Sequence, residues 1–184
     1  RDRAPAGLLL YNRALLASAG VAEPKKIWSW GDFRRACRAV ARANLKDVKP
    51  VALNLYPYSV FTWLYQAGAC IVSPDGSISV DSPEAAEAID FLLGLWREGL
   101  SERPDPADDD SLAQFISGRV CFAFATFYTL GTCVRAEGLD WGIAPPLRGR
   151  VHACSCLPTF VALSSRTAHP EAAWAWARFL ALEG

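Results

Sequence analysis

Methionine is missing from all 184 residues of the sequence, including position 1. Because translation starts with methionine, we expect a processed chain or a piece of a longer protein, with sequence missing on both sides. A secretion signal is missing from the amino end too, since Leu8–Leu10 is too short for the apolar core of a signal peptide.

The sequence also lacks an excess of either charge and any long hydrophobic run. Lysine plus arginine number 19, and so do aspartate plus glutamate, which makes the formal net charge zero. A dedicated nucleic-acid-binding domain carries a basic excess, so we expect no nucleic-acid partner. The longest apolar runs, Val120–Ala125 and Leu157–Leu163, have the length of strands and fall short of the ~20 residues that a membrane-spanning helix needs.

Motifs for catalysis and nucleotide binding are absent as well. No GxGxxG, GxxxxGKS/T or GxSxG pattern occurs, and there are only two histidines. The one local cluster is His152, Cys154 and Cys156, whose alternation would place all three side chains on one face of a strand. Three such ligands suit zinc or copper(I), but no fourth ligand is evident, and buried cysteine is usually a small hydrophobic residue. A metal or thiol enzyme stays as an alternative, while we expect no catalytic residue, metal or cofactor.

The sequence does have the apolar content to build a core, at 52% hydrophobic and 21% charged residues. Its patterns predict strands at Leu8–Tyr11, Val51–Leu55, Ser77–Val80, Arg119–Phe124, Leu139–Ala144 and Leu157–Leu163. They predict helices at Asn12–Ala19, Ser59–Gly68, Ser111–Ser117 and Glu171–Leu182, and two more that begin after Ser29 and Ser82. This alternation indicates an α/β fold with a mixed, largely parallel sheet and helices on both faces.

Two of these helices have clear starting signals. Ser29 with Asp32 three residues later forms a capping pattern, and Ser82 is followed by proline and glutamate at the first helical positions. For the second helix, the spacing predicts one buried stripe, which comprises Ala85, Ile89, Leu92, Leu93 and Trp96.

Aromatic residues cluster where two predicted strands end. In an open α/β sheet, ligands bind beyond the carboxyl ends of the strands, and an aromatic ring there can stack on the apolar face of a sugar. We therefore interpret Tyr56, Tyr58 and Tyr128 as ligand-binding residues. For Phe61 and Trp63, which lie on the helix after the first turn, we favour a core position, although Trp63 is kept as a ligand candidate. Phe127 is a further candidate, and the neighbour of Tyr128 that better fits the core.

Seven stretches together resemble one family, the extracellular solute-binding proteins of ABC importers, in the sugar-binding group of the maltose-binding-protein type. Each stretch is weak alone, but they occur in the family's order and cover nearly the whole chain. They are LYNRALLASAGV at 10–21, SWGDF at 29–33, QAG with DG at 66–76, DSPEAAEA at 81–88, FISGRV at 115–120, WGIAPP at 141–146, and SS with HPEAAW at 164–174.

The resemblance implies two α/β lobes that close on a carbohydrate about a hinge and then deliver it to the transmembrane subunits of an ABC permease. Residues 1–146 would form most of the second lobe, with hinge crossings near 8–12 and 143–149, and residues 147–184 would be a strand–helix segment of the first lobe. It further implies an exported protein, periplasmic or held at the outer face of a membrane, with a signal peptide in the parent sequence, and a monomer. A non-sugar solute such as a polyamine, a glycerol phosphate or an iron chelate remains an alternative ligand.

The resemblance also bears on single residues. A few residues after the stretch that FISGRV resembles, the family commonly has a tryptophan or tyrosine that stacks on sugar, and Tyr128 stands at that place. Pro158 and Thr159 stand where the family often has glycine and tryptophan in a late strand, and they complete the set of expected ligand-binding residues.

Overall fold

The computed structural model describes residues 3–103, 110–158 and 160–182. Its strands are β1 (Arg3–Asn12), β2 (Lys49–Ala52), β3 (Val120–Thr126), β4 (Trp141–Ala144) and β5 (Cys156–Pro158). Its helices are α1 (Arg13–Ser18), α2 (Trp30–Arg42), α3 (Pro57–Ala67), α4 (Pro83–Arg97), α5 (Ser111–Ile116), α6 (Leu130–Arg135) and α7 (Pro170–Leu182), with a 3₁₀ turn at Phe127–Thr129. None of the described helices has the length and hydrophobicity needed to cross a membrane.

The strands form one sheet in the order β2-β3-β1-β4, and β5 also pairs with β1. Strand β3 runs parallel to β2, whereas β1 is antiparallel to both β3 and β4. The predicted mixed α/β sheet is confirmed. The expectation that most of it would be parallel is wrong for these three pairings, because β1 enters the middle of the sheet from the opposite direction.

Helices cover both faces of the sheet, as the alternation predicted. On one face, Phe33 of α2, Trp63 of α3 and Leu92 of α4 pack with Phe122 and other strand residues. The opposite face holds a smaller cluster that includes residues from α5 and α6. All seven residues of β3 are buried, which is the burial expected of a central strand covered on both sides.

The helix starts that the sequence predicts at Ser29 and Ser82 are confirmed. Ser29 accepts a hydrogen bond from the Asp32 amide while the Asp32 carboxylate accepts one from the Ser29 amide, and Ser82 caps α4 through the Ala85 amide. The buried stripe of α4 differs from the expected one. It comprises Ala85, Ala88, Leu92 and Leu95, whereas Ile89 and Trp96 are exposed.

The predicted strands Val51–Leu55 and Leu139–Ala144 are found as Lys49–Ala52 and Trp141–Ala144, and two others are wrong over most of their extent. Strand β5 comprises only Cys156–Pro158, and residues 160–163 of the expected strand Leu157–Leu163 lie outside any strand, with their side chains exposed. The expected strand at Ser77–Val80 is reduced to a single bridge between Val72 and Ile78 around the Asp75–Gly76 turn. Both segments have apolar residues, but neither is covered by a second layer that would hold an extended chain in a sheet.

The chain divides into two compact units, Ala4–Leu157 and Arg1–Arg3 with Pro158–Gly184. The first holds both hydrophobic clusters and all the helices except α7. The second unit contains α7, of whose residues only Ala177 is buried. A groove of about 600 Å³ in this unit is lined by Phe160, Val161, Trp174, Ala177, Arg178, Ala181 and Leu182.

Candidate functional site

The candidate site lies at the edge of the sheet where the parallel strands β2 and β3 both end. Ala52 pairs with Ala123, so the residues that follow each strand leave the sheet on the same side. Asn54 and Tyr56 follow β2 directly, and the 3₁₀ turn at Phe127–Thr129 follows β3. This edge is the usual place for a ligand in an α/β fold.

Two tyrosine rings are stacked after the end of β2. The rings of Tyr56 and Tyr58 have centroids 5.9 Å apart and planes inclined by 11°. Asn54, which is buried, joins them: its Oδ1 accepts the Tyr56 amide at 2.7 Å, and its Nδ2 donates to the Tyr58 hydroxyl oxygen at 3.2 Å. Tyr56 is 43% exposed and therefore offers apolar ring surface at a fixed place.

Strand β3 ends in a locked turn that contains Phe127. The Thr126 amide donates to Thr129 Oγ1 at 3.1 Å, and the Thr129 hydroxyl donates back to the Thr126 carbonyl at 2.8 Å. Phe127 is 58% exposed, so the interpretation of it as the core neighbour is wrong. The hydrogen bonds between Thr126 and Thr129 close a turn directly after the buried strand, and Phe127 is exposed in that turn.

Trp63 lies in the core. It is 3% exposed, and its ring contacts those of Phe91, Trp30 and Phe124 at centroid distances of 5.2 to 5.5 Å. This packing supports the core interpretation of Trp63 and leaves no ring face for a ligand. Phe61, for which a core position was favoured, is instead 37% exposed beside Tyr65.

Three expected site residues are described only in part. Tyr128 belongs to the 3₁₀ turn and Pro158 to β5, but their side chains lie outside the described structure. Thr159 lies outside the described residues altogether. Their roles therefore stay predictions.

The site carries no formal charge of its own in the two turns. Residues 53–59 and 125–130 include no aspartate, glutamate, lysine or arginine. Its polar groups are instead amide and hydroxyl groups, which donate and accept hydrogen bonds with neutral partners. Such a set suits a neutral polyol better than a polycation, which would require carboxylates.

No group of three potential metal ligands exists among the described histidine, cysteine, aspartate and glutamate residues. His152 and Cys154 precede β5 and are not in a strand, so the alternation that would bring them to one face is absent. Burial raises the pKa of the Cys121 thiol to about 12, and it raises that of Cys37 well above its ordinary value. Thiols of this kind stay protonated and are poor nucleophiles.

Sequence analysis missed Asn54. It is the residue that fixes both tyrosines, yet it stands inside a stretch interpreted as the strand Val51–Leu55. The available signal was an asparagine two residues before Tyr56 and three before Pro57, since an asparagine side chain readily accepts the amide two residues on and starts a turn.

Comparison with known families shows the family of this chain. The sequence profile described as bacterial extracellular solute-binding protein matches residues 2–184. A search of curated proteins gave no match.

Solved structures give the same fold at low sequence identity. An ABC substrate-binding protein from Listeria monocytogenes in complex with cycloalternan superposes with a TM-score of 0.82 at 20% identity, over 99% of this chain and 47% of that one. The GacH receptor of Streptomyces glaucescens, solved unliganded and with acarbose, gives 0.77 at 18% identity over 97% and 47%. A cyclic α-maltosyl-1,6-maltose binding protein from Arthrobacter globiformis gives 0.71 at 19% identity over 97% and 47%. The chain thus spans about half the length of the proteins that it matches.

Proposed function

The chain belongs to the bacterial extracellular solute-binding proteins, and on that premise we propose that it captures a carbohydrate and delivers it to an ABC permease. The sugar enters a cleft between two lobes, and hinge closure excludes water around it. No bond is made or broken, so the residues of the site bind and orient the ligand without chemistry.

The stacked tyrosine pair is the observation that carries this proposal. The exposed ring of Tyr56 presents a flat apolar face and stacks on the ring of Tyr58, while Asn54 bonds to the Tyr56 backbone amide and to the Tyr58 hydroxyl. A pyranose has an apolar C–H face and a rim of hydroxyls, which match a ring face with amide and hydroxyl groups beside it. Because the rings are already ordered, little side-chain entropy remains to be lost on binding.

The ligands named for the structural relatives support the same class. They are cycloalternan, acarbose and a cyclic maltosyl-maltose, all saccharides or saccharide-like molecules. Under the proposal Phe127, Tyr128, Pro158 and Thr159 are further ligand-binding residues.

In the proposed architecture residues 1–146 form most of the second lobe and residues 147–184 are a segment of the first, with hinge crossings near 8–12 and 143–149. Because residues 4–157 form one compact unit, residues 147–157 stay packed on the second lobe, and the rest of the first-lobe segment follows them. The protein works as an exported monomer, periplasmic or anchored at the outer face of a membrane, where its partner permease receives the sugar. Fractionation that finds the intact protein in the cytosol would contradict this location.

Calorimetric titration of the full-length protein with maltose, longer maltooligosaccharides and cyclic glucans tests the function. Tyr56→Ala and Tyr128→Ala should each weaken binding by about 1–3 kcal/mol, the scale of one desolvated aromatic contact. The melting temperature of Tyr56→Ala should hardly change, because the Tyr56 side chain is 43% exposed. Tyr65→Ala is the matched control, since Tyr65 lies further along α3 and is 37% exposed.

Other ligands give the contrary outcomes. If the protein binds spermidine, glycerol 3-phosphate or a ferric chelate and no sugar, the carbohydrate proposal is wrong, and the protein is a solute-binding protein for a different class of ligand. Stoichiometric zinc together with catalytic turnover would favour the enzyme alternative on His152, Cys154 and Cys156.

A further inference from the structure

Residues 149–155 (the return segment) lie along one side of α3 and are joined to it by several hydrogen bonds. The Val151 amide donates to the Gln66 carbonyl at 2.9 Å, and Gln66 Nε2 donates to the Ala153 carbonyl at 2.9 Å. The Trp30 indole N–H donates to Gln66 Oε1 at 2.8 Å, so the Gln66 side chain, which is 2% exposed, has both its ends bonded. This holds the return segment near the carboxyl end of α3.

A second anchor holds the return segment at the first turns of α3. Ser155 Oγ lies 2.7 Å from the Tyr58 carbonyl oxygen and 2.6 Å from Thr62 Oγ1. The Ser155 amide donates to Thr62 Oγ1 at 3.2 Å. The Thr62 hydroxyl also lies 3.2 Å from the Tyr58 carbonyl, four residues before it in α3, and can donate to it. Since each hydroxyl has one hydrogen, one of the two hydroxyls donates to the other, and the second donates to the Tyr58 carbonyl. Thr62 is buried, which makes these bonds costly to lose.

This anchor joins three parts of the molecule. Tyr58 belongs to the stacked ring pair, and Ser155 directly precedes β5, through which the chain passes from the first unit into the second. Gly7 of β1 lies against the same threonine, because a Cβ added there would meet Thr62 Oγ1 at 3.1 Å. With a φ of +90°, Gly7 also has a backbone conformation that favours glycine.

We infer that Thr62 and Ser155 are positioning residues of the sugar site: their hydroxyl pair fixes the first turn of α3, and so the Tyr56–Tyr58 platform, to the segment that leads into β5. Neither hydroxyl needs to touch the ligand. This inference rests on the proposed carbohydrate-binding function and adds to it the residues that hold the platform in its binding geometry.

The effect should appear in the lifetime of the complex. A sugar can meet the exposed Tyr56 ring whether or not the anchor is formed, so the association rate should stay the same. The bound state requires the platform to keep its place, so loss of the hydroxyl pair should raise the dissociation rate about 3- to 10-fold, the scale of one or two buried hydrogen bonds.

Thr62→Val removes the hydroxyl and keeps the side-chain shape, whereas Thr62→Ser keeps the hydroxyl. Amide hydrogen exchange of the ligand-free full-length protein is measured first. Exchange at the Ser155 amide should accelerate in Thr62→Val and remain slow in Thr62→Ser, while the Val151 amide, bonded to a backbone carbonyl, should not change. Ser155→Ala is the second variant if Thr62→Val fails to fold.

Stopped-flow dissociation of the maltooligosaccharide that the wild type binds best is measured next, with Ser18→Ala as control. Ser18 is exposed and donates to the carbonyl four residues before it, the same kind of bond far from the platform in sequence. Faster dissociation in Thr62→Val, normal dissociation in Thr62→Ser and Ser18→Ala, and equal association rates support the inference. Unchanged dissociation, or unchanged exchange at Ser155, overturns it. A wild type that binds no sugar overturns the proposed function and this inference with it.

Discussion

Helices α2 and α7 are each 13 residues long and contain many apolar residues, but they differ in how many of those residues are buried. Helix α2 buries Trp30, Phe33, Ala36, Cys37 and Val40, whereas three of its four arginines, Arg35, Arg38 and Arg42, are exposed. Helix α7 buries only Ala177, and its large side chains, including Trp174 at 62% exposure, lie at the surface.

The difference shows that apolar content alone does not decide how much of a helix is buried, since burial depends on the partners that pack on it. The apolar stripe of α2 packs against the sheet and against α3 and α4. The helix is also capped at Ser29, and Arg38 forms an ion pair with Glu98 at the end of α4. Among the described residues, α7 has few partners of this kind. Isolated helices of this length are marginal in water, so packing decides their stability.

The largest expected effect is on the packed helix. Phe33 is fully buried and meets the rings of Phe122 at 5.3 Å and Phe124 at 5.8 Å in edge-on contacts. Phe33→Ala should lower the free energy of unfolding by about 3–5 kcal/mol, through lost transfer energy and the cavity that remains. Urea denaturation of the 184-residue chain, followed by tryptophan fluorescence, measures it. A loss below about 1 kcal/mol would contradict the packing described for α2.

A middle-sized effect concerns the link between α2 and α4. Arg38 donates to Glu98 at 2.7 Å, and Arg34 pairs with the same carboxylate; together they lower the pKa of Glu98 from 4.5 to about 2. Because the folded-state pKa is the lower one, this stabilisation is present above pH 4.5 and is lost as the pH falls towards 2. Glu98→Gln should cost about 1 kcal/mol at pH 7, a value kept small by solvent screening.

The pH dependence itself checks this prediction. Unfolding curves for the wild type and Glu98→Gln should differ at pH 7 and converge as the pH approaches 2. A difference that stays constant from pH 7 to pH 3 would show that the glutamine disturbs packing and that the carboxylate charge is not the cause.

The smallest effect is expected on α7. Phe179 is 43% exposed and stacks on Trp176 with ring centroids 5.5 Å apart. Phe179→Ala should change the free energy of unfolding of the 184-residue chain by about 0.5 kcal/mol or less, the usual range for surface substitutions. It is the matched counterpart of Phe33→Ala, measured in the same urea series. A loss of 2 kcal/mol or more would mean that α7 is as well packed as α2.

Local signals in the sequence were enough to place the helices that have caps. The Ser29–Asp32 pair and the Ser82–Pro83 start are short-range chemistry, and both occur as predicted. The mixed α/β class followed from the alternation of elements. Sequence also placed Tyr56 and Tyr58 at a strand end, where the structure has them.

Long-range packing was beyond the reach of those signals. The buried face of α4 includes Ala88 and Leu95 in place of Ile89 and Trp96, because what packs on the helix, and not side-chain size, selects the face. The antiparallel course of β1 depends on partners more than 100 residues away. The turn that Asn54 starts at the Tyr56 amide follows a known spacing, but its bond to the Tyr58 hydroxyl is a contact that no spacing rule specifies.

The order of the sheet also bears on how the protein is made. Strand β1 is synthesised before the other described strands, yet it pairs with β3 and β4, whose residues lie between 120 and 144. On the ribosome, the first strand therefore waits for more than 100 residues of further translation before its partners emerge. Contacts of such sequence separation form slowly, because a long loop must close before any of them is gained. This sheet therefore cannot be completed until β3 and β4 have been synthesised, whichever contacts the helices between them form earlier.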